Sequence, residues 1–431
     1  MTVLDVRLAS IERHLELAQD PRTWLSKMKP DGAVEESLWV FAFEKIQDEA
    51  GDLEEEIEDL RARLSGDLTE EEAWPSYQKV RARSELVFRE CLDLLGGLAL
   101  RDRSTDDQIC QLADELIFEC AQPSFRVLAT MPSLALDLGD SLTSSMLRRV
   151  ASIRFPDWTL WTVPLVAHEY AYVMTELENV LRSHVSGEAS AWSLAHGSNL
   201  GADDIMADDI KEEIRLRNEN YARVLLADAF ATFAMGPAYA CAAVLLRLDP
   251  AYDGHRYRPS DSTRARMILG VLDEMNRTSM GVYKDILQFL TQRWEDISRL
   301  VPTSAADEAE DILVPQRVSA YLHRKFKYKR TGYSPQGWIE ARKWSMEWQQ
   351  FPRDPAVPKD LGVTHSLRDA LNAVWDCRVA YTQTLKSPDE RDEAVDKVAD
   401  VGRGLCDQIV HRKGRGRGKK LPRANREGVR S

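Results

Sequence analysis

The chain is poor in the residues that announce common chemistries. Its six cysteines (Cys91, Cys110, Cys120, Cys241, Cys377, Cys406) are scattered over 431 residues. None forms C-x-x-C, which excludes a zinc knuckle and a thioredoxin-type redox pair. Most lie in apolar stretches, where free thiols act as small hydrophobes, as expected of a cytoplasmic protein. No P-loop, no G-x-S-x-G and no G-x-G-x-x-G occurs, so nucleotide-driven and serine-hydrolase chemistry have no support. The start, Met1-Thr2-Val3-Leu4-Asp5, lacks a basic and then apolar run, so no secretion signal is expected. Residues 224–246 are long enough to span a bilayer and hold one charge, Asp228. They are built of alanine and interrupted by Gly236-Pro237, however, and an aspartate in the membrane costs roughly 2.5–3.5 kcal/mol. A buried core helix broken at Gly236-Pro237, and no membrane partner, is the expectation.

What is present is ordinary for a globular chain: 44% hydrophobic and 29% charged residues, enough for two or three domains. The net charge of −13 hides an asymmetry, because residues 411–431 carry nine Lys/Arg against one Asp/Glu and the rest of the chain carries −21. Helical spacing recurs from end to end. It predicts helices over 34–64, 69–95 and 105–121, packed as an antiparallel N-terminal bundle. Residues 150–155 read as a single short strand. A helix over 165–183 presents Val166, Tyr170, Val173, Leu177 and Val180 as a core-facing stripe. A long helix begins near 204, and another covers 263–299. Helices over 305–326, 336–349, 366–384 and 388–411 follow, with Trp338, Trp344 and Trp348 as a packing face. The Gly/Lys/Arg-rich tail from 412 is expected to be disordered. The fold class is therefore mainly α: an N-terminal helical bundle over 1–125, a helical core with at most a small sheet over 126–300, C-terminal helices over 301–411 and a basic tail over 412–431.

Two incomplete motifs carry the chemistry. Residues His168-Glu169-Tyr170-Ala171-Tyr172 follow H-E-x-x-H, with Tyr172 in place of the second histidine. In an intact motif two imidazoles one turn apart point at one metal ion, and the glutamate activates its bound water. Val224-Leu225-Leu226-Ala227-Asp228 follows E-x-x-A-D, with Val224 in place of the glutamate. An apolar approach over 161–167 precedes the first motif. Small residues surround the second, in Ala227-Asp228-Ala229-Phe230-Ala231-Thr232 and Met235-Gly236-Pro237-Ala238-Tyr239-Ala240.

Over about 150–275 the chain resembles the gluzincin type of zinc metallopeptidase, and the core would then be a degenerate zincin-like one. Residues 255–269 are similar to a degraded form of the loop and arginine-containing helix start found further along in some of these proteins. The resemblance implies His168 as a metal ligand, Glu169 as general base and Asp228 as the group behind the ligand that orients His168 by a hydrogen bond. Tyr172, with a phenol pKa of about 10, and Val224 remove two of the three ligands. Glu219 and Glu176 are wrongly spaced to replace them. No cofactor is therefore expected, with zinc as the alternative.

Three readings follow. The first is a metallopeptidase-like scaffold or regulator without catalysis, in which His168, Glu169, Tyr172 and Asp228 form a buried polar cluster. It would act through protein partners, and a bacterial multi-protein, defence-type system is a natural setting for it. The second is a zinc-dependent peptidase with an atypical site that recruits His196 or His255 and uses Glu169. The third takes the H-E pair as coincidence on a helical protein. Apart from these, the basic run at 323–330 (Arg324, Lys325, Lys327, Lys329, Arg330, interleaved with Phe326 and Tyr328) and the tail (Lys413, Arg415, Arg417, Lys419, Lys420) form a candidate nucleic-acid surface. Phosphate contacts and stacking by Phe326 and Tyr328 would supply the affinity.

Overall fold

The computed structural model describes residues 33–65, 71–85, 107–120, 129–133, 150–154, 159–177, 208–252, 258–300, 315–326, 331–352, 355–358, 365–385 and 387–417, with isolated positions near the N-terminus and at Thr69. The chain is mainly α-helical. It divides into two compact units, one of residues 1–110 with 127–157, the other of 111–126 with 158–431.

In the first unit, helix α1 (Ala33–Ser65) is followed by helix α2 over 71–85. Leu53, Ile57 and Leu60 of α1 and Ala73, Tyr77 and Val80 of α2 recur at helical spacing and are buried. Arg83 of α2 reaches back to Glu56 and Asp52 of α1. Arg7 lies over the Trp74 ring, 5.1 Å from its centroid. Strands β1 (Ala129–Ser133) and β2 (Val150–Arg154) form a parallel pair with Ala129 opposite Val150. The expected strand at 150–155 thus has a partner that the sequence reading did not name.

The second unit begins within helix α3 (Asp107–Cys120) and holds the motif region together with the C-terminal helices. A 3-10 turn at Val163–Leu165 leads into α4 (Val166–Leu177), which carries His168 and Glu169. Helix α5 (Asp208–Met235) is central: it packs against α4, α7 (Asp261–Thr278) and α9 (Pro315–Phe326). After α5 come the short α6 (Pro237–Ala242) and a π turn at Ala243–Arg247. The single helix expected over 263–299 is instead two, α7 and α8 (Lys284–Ser298). The break falls at Ser279–Gly281, where Met280 and Gly281 both take positive φ, 57° and 82°. Left-handed residues end a helix, and Gly281 was the sequence signal for it. Helices α10 (Pro335–Gln350), α11 (Leu367–Thr384) and α12 (Pro388–Arg417) pack in the order α10 on α11 on α12. Helix α12 runs on to Arg417, past the expected boundary at 411; residues 418–431 lie outside the described ones.

The break expected at Gly236-Pro237 is present, and side chains from α11 take up several of its backbone groups. Gly236 has φ 63°, which suits a residue without Cβ. A Cβ there would lie 2.4 Å from the Tyr333 ring. Breaking a helix frees carbonyls that burial makes expensive. Arg368 Nη1 donates to the Ala234 and Thr331 carbonyls at 3.0 and 2.7 Å, and Asn372 Nδ2 donates to the Met235 carbonyl at 2.8 Å. Asn372 Oδ1 accepts from the Ala238 N–H at 2.9 Å. Two side chains of α11 therefore splice α5 to α6. This fixes the direction in which α6 presents Tyr239. Trp338, Trp344 and Trp348 are buried on one side of α10, as a packing face. Among the described residues no helix is long and apolar enough to cross a membrane.

Candidate functional site: a buried polar cluster on the motif helices

The motif helix α4 lies against α5, and this pairing brings His168 to Asp228. Both helices are rich in alanine, and Ala167 and Ala171 of α4 and Ala222, Ala227, Ala229 and Ala231 of α5 are all buried. Val166 and Tyr170 of the expected stripe are buried, and Val173 is half-buried. The stripe is broader than expected, since Ala167, Ala171 and Met174 are buried as well. Val180, and the side chain of Leu177, lie outside the described residues.

Asp228 is the centre of the cluster, with no exposed surface. Its Oδ1 accepts from the Tyr239 hydroxyl at 2.5 Å and from Arg264 Nη2 at 2.9 Å, and its Oδ2 accepts from Arg264 Nε at 2.8 Å. The guanidinium thus grips both carboxylate oxygens, the geometry in which an Arg–carboxylate pair is strongest. Nε2 of His168 lies 3.4 Å from Asp228 Oδ1 and 3.4 Å from Arg264 Nη2. Nδ1 of His168 faces its neighbour Glu169 at 3.6 Å. The second charge on Arg264 comes from Asp261, 3.4 Å from Nη1. Asp261 in turn accepts the Asp249 N–H through Oδ2 at 3.0 Å, tying the loop after α6 to the start of α7.

Helix α7 places Arg264 by its cap. Ser260 is the N-cap and its hydroxyl accepts the Thr263 N–H. From there Arg264, Ile268, Val271, Leu272 and Met275 form the buried face. The arginine stands at a core position of an amphipathic helix, where a charge survives only if paired.

The electrostatics follow from burial and pairing. Burial alone would raise the Asp228 pKa. The charges of Arg264 and His168 and the hydrogen bonds from Arg264 and Tyr239 outweigh it, leaving the carboxyl below its ordinary 3.8. Burial works to discharge Arg264, and Asp228 more than offsets this, so its pKa is raised. Tyr239 is pushed well above 10, first by burial and then by the adjacent Asp228 carboxylate. At neutral pH the cluster therefore holds a carboxylate, a guanidinium and a neutral phenol.

Of the residues expected at the site, His168, Glu169 and Asp228 come together. Tyr172 and Val224 are buried on the same two helices, at 6% and 4% exposure. Glu219 sits on the first, more polar half of the described α5. His196 and His255 lie outside the described residues, as does the side chain of Glu176. The residues present do not fit a zinc ion. Among the described residues His168 is the one imidazole beside Asp228, and the cation within reach of its Nε2 is the Arg264 guanidinium. Among the described residues no group of three His, Cys, Asp or Glu converges on a common point. Sequence reasoning missed Arg264 and Tyr239 as members of the cluster. Tyr239 carries no spacing signal across the Gly236 break. Arg264 did carry one, an arginine in register with Ile268 and Leu272.

The candidate nucleic-acid residues divide differently. Arg324 is exposed and Lys325 half-buried at the end of α9. Phe326, expected to stack on bases, is instead core: it is 2% exposed and packs against Phe230 at 5.4 Å and Phe233 at 6.3 Å between ring centroids. Its position on the apolar stripe of α9, four residues after Leu322, is the reason. Lys327, Tyr328, Lys329 and Arg330 lie outside the described residues, as do Lys419 and Lys420. Lys413, Arg415 and Arg417 belong to the last turns of α12. Comparisons of the chain with protein-family models, with curated proteins and with solved structures find no match.

Proposed function

We propose that this chain is a non-catalytic scaffold or regulatory protein, related to zinc metallopeptidases, in which a buried arginine has taken over the electrostatic role of the metal. One observation carries this reading: the Arg264 guanidinium grips Asp228 through both oxygens and stands 3.4 Å from His168 Nε2. A carboxylate that once oriented a metal-bound histidine still needs a cation beside it when the metal is gone. Arg264 supplies a permanent one, fixed to the backbone of α7. Tyr239 supplies a further donor to the same carboxylate. The cluster then serves to lock α4, α5, α6 and α7 together, and function passes to surfaces that meet other proteins. Glu169 has no metal-bound water to activate in this arrangement.

The test is metal content with a stability readout. Full-length protein purified without chelator is expected to hold far less than one zinc per chain by mass spectrometry. Its melting temperature should not move with EDTA or with added zinc. About one zinc per chain, lost in His168→Ala, would overturn the proposal and return Glu169 to the role of general base.

A further inference from the structure

We propose that Arg264 does more than supply charge: it donates a hydrogen bond to His168 Nε2, so the ring nitrogen turned into the cluster has no lone pair left for a metal ion. This deepens the metallopeptidase-like reading and rests on it for the ligand positions. It also makes the loss of metal hard to reverse. Restoring the two missing ligands would not bring zinc back while Arg264 stands.

Hydrogen-bond capacity decides the direction of the contact. Each carboxylate oxygen offers about two lone pairs. At Asp228 Oδ1 the Tyr239 hydroxyl takes one at 2.5 Å and Arg264 Nη2 takes the other at 2.9 Å. Nε2 of His168 lies 3.4 Å from that same oxygen and 3.4 Å from Arg264 Nη2. A proton on Nε2 would crowd an oxygen that is already filled. It would also meet a guanidinium nitrogen, which can only donate. With Nε2 unprotonated both conflicts vanish. Nη2 turns one N–H to Asp228 Oδ1 and has a second for the imidazole lone pair. The ring proton then sits on Nδ1, which faces Glu169 Oε1 at 3.6 Å. The group beside one ring nitrogen sets the state of the other.

The guanidinium is fixed in this pose. Its Nε donates to Asp228 Oδ2 at 2.8 Å, and its Nη1 lies 3.4 Å from Asp261 Oδ1. The side chains of Asp228, Arg264 and His168 are 0%, 4% and 13% exposed. A metal ion needs a ring nitrogen that has no proton and a lone pair to give. Here Nδ1 holds the proton and the Nε2 lone pair is engaged by a cation, which also repels a second cation. Tyr172 and Val224, on the packed helices α4 and α5, are buried. Ligands placed at those two positions would find the His168 nitrogen already occupied. Arg264 is thus a positioning residue for His168.

The experiment reads the His168 tautomer from nitrogen–proton correlation spectra of the full chain labelled in histidine, at about pH 8, where an ordinary imidazole carries one proton. His168→Gln identifies its signals. A proton on Nδ1 and none on Nε2 is expected. A proton on Nε2, alone or with one on Nδ1, would overturn the proposal, and the parent chain is enough to show it. Zinc competition with a chelating dye then compares Tyr172→His with Val224→Glu, in the presence of Arg264 and in Arg264→Met. At least about tenfold tighter zinc binding without the arginine is expected. Equal affinity in the two backgrounds, both folded by circular dichroism, would end the blocking role. Should those variants not fold, the tautomer of the parent decides. Zinc in the parent chain would overturn the non-catalytic reading as well, whereas a protonated Nε2 in a zinc-free parent would overturn this inference alone.

Discussion

Asp228 and Phe233 stand five residues apart on α5, and they build opposite kinds of environment. That spacing puts them about 140° apart around the helix axis, so one side chain faces α4 and α7 while the other faces the ends of α7 and α9. Around Asp228 every strong charge is matched: the carboxylate has Arg264, the guanidinium has Asp228 and Asp261, and the Tyr239 phenol donates inward. Around Phe233 the rings of Phe230, Phe326 and His323 pack on one another, and the nearby Arg324 at the end of α9 is exposed. A cluster that completes its own hydrogen bonds leaves nothing for a ligand to satisfy. The same helix therefore carries a charge-matched polar centre on one side and an aromatic core contact on the other.

The comparison breaks most readily at Arg264. Removing one member of a buried ion pair leaves the other charge uncompensated, at a cost of about 3–5 kcal/mol. Arg264→Met should lose stability by that amount in denaturant titrations at pH 7. Its pH dependence gives a second check. In the parent the Asp228 pKa is depressed, so its contribution is present above pH 3.8 and is lost only as pH falls through the lower folded value. In Arg264→Met the largest influence opposing burial is gone, leaving only His168 and Tyr239 against it, so that pKa rises from its depressed value. The variant should be worst at neutral pH and recover relative to the parent on acidification. A gap that stays constant between pH 7 and pH 4 would mean that Asp228 is not the group left uncompensated.

Tyr239→Phe is the milder test of the same cluster. It removes one hydrogen bond to a charged acceptor and almost no volume, which predicts a loss of about 1.5–3 kcal/mol. Urea midpoints at pH 7 measure it. A loss under about 0.5 kcal/mol would mean that Arg264 alone satisfies Asp228.

How much of this was legible in the sequence differs between the two regions. His168, Glu169 and Asp228 were found because helical spacing and motif order are local properties of the chain. The break at Gly236-Pro237 was also readable, since glycine and proline carry their backbone preference with them. The groups that complete the cluster come from elsewhere. Arg264 is 36 residues from Asp228 and reaches it only because α7 folds back on α5. Tyr239 depends on the turn that Asn372 and Arg368 hold in place from α11. The Phe233 side was less legible still. The basic run over 323–330 was visible as charge and aromatics, but helical register decides that Phe326 turns inward while Arg324 stays exposed. The division of 263–299 into α7 and α8 rests on two left-handed residues.

On the Phe233 side the effects on stability should be smaller. Gly332→Ala adds a methyl group against the Phe233 ring, which is itself set between His323 and Phe326. Overpacking of this kind costs about 1–3 kcal/mol, and thermal unfolding by circular dichroism measures it. A neutral result would mean that the ring moves freely and that its packing is loose.

Arg324→Gln is the smallest expected effect and the sharpest contrast with Arg264. Both residues are arginines on neighbouring helices, and only their surroundings differ. Arg324 is exposed, without an ion pair among the described residues, so its loss should change stability by no more than about 0.5 kcal/mol. The basic group does favour the last turn of α9, at the negative end of the helix dipole. That interaction is worth about 0.3–1 kcal/mol at low salt and is screened as salt rises. Denaturant titrations of Arg324→Gln at low and high salt separate the two terms: a small loss at low salt that vanishes at high salt belongs to the helix end. A loss comparable to that of Arg264→Met, insensitive to salt, would mean that Arg324 is held by a buried partner. The end of α9 would then be as closed as the cluster around Asp228.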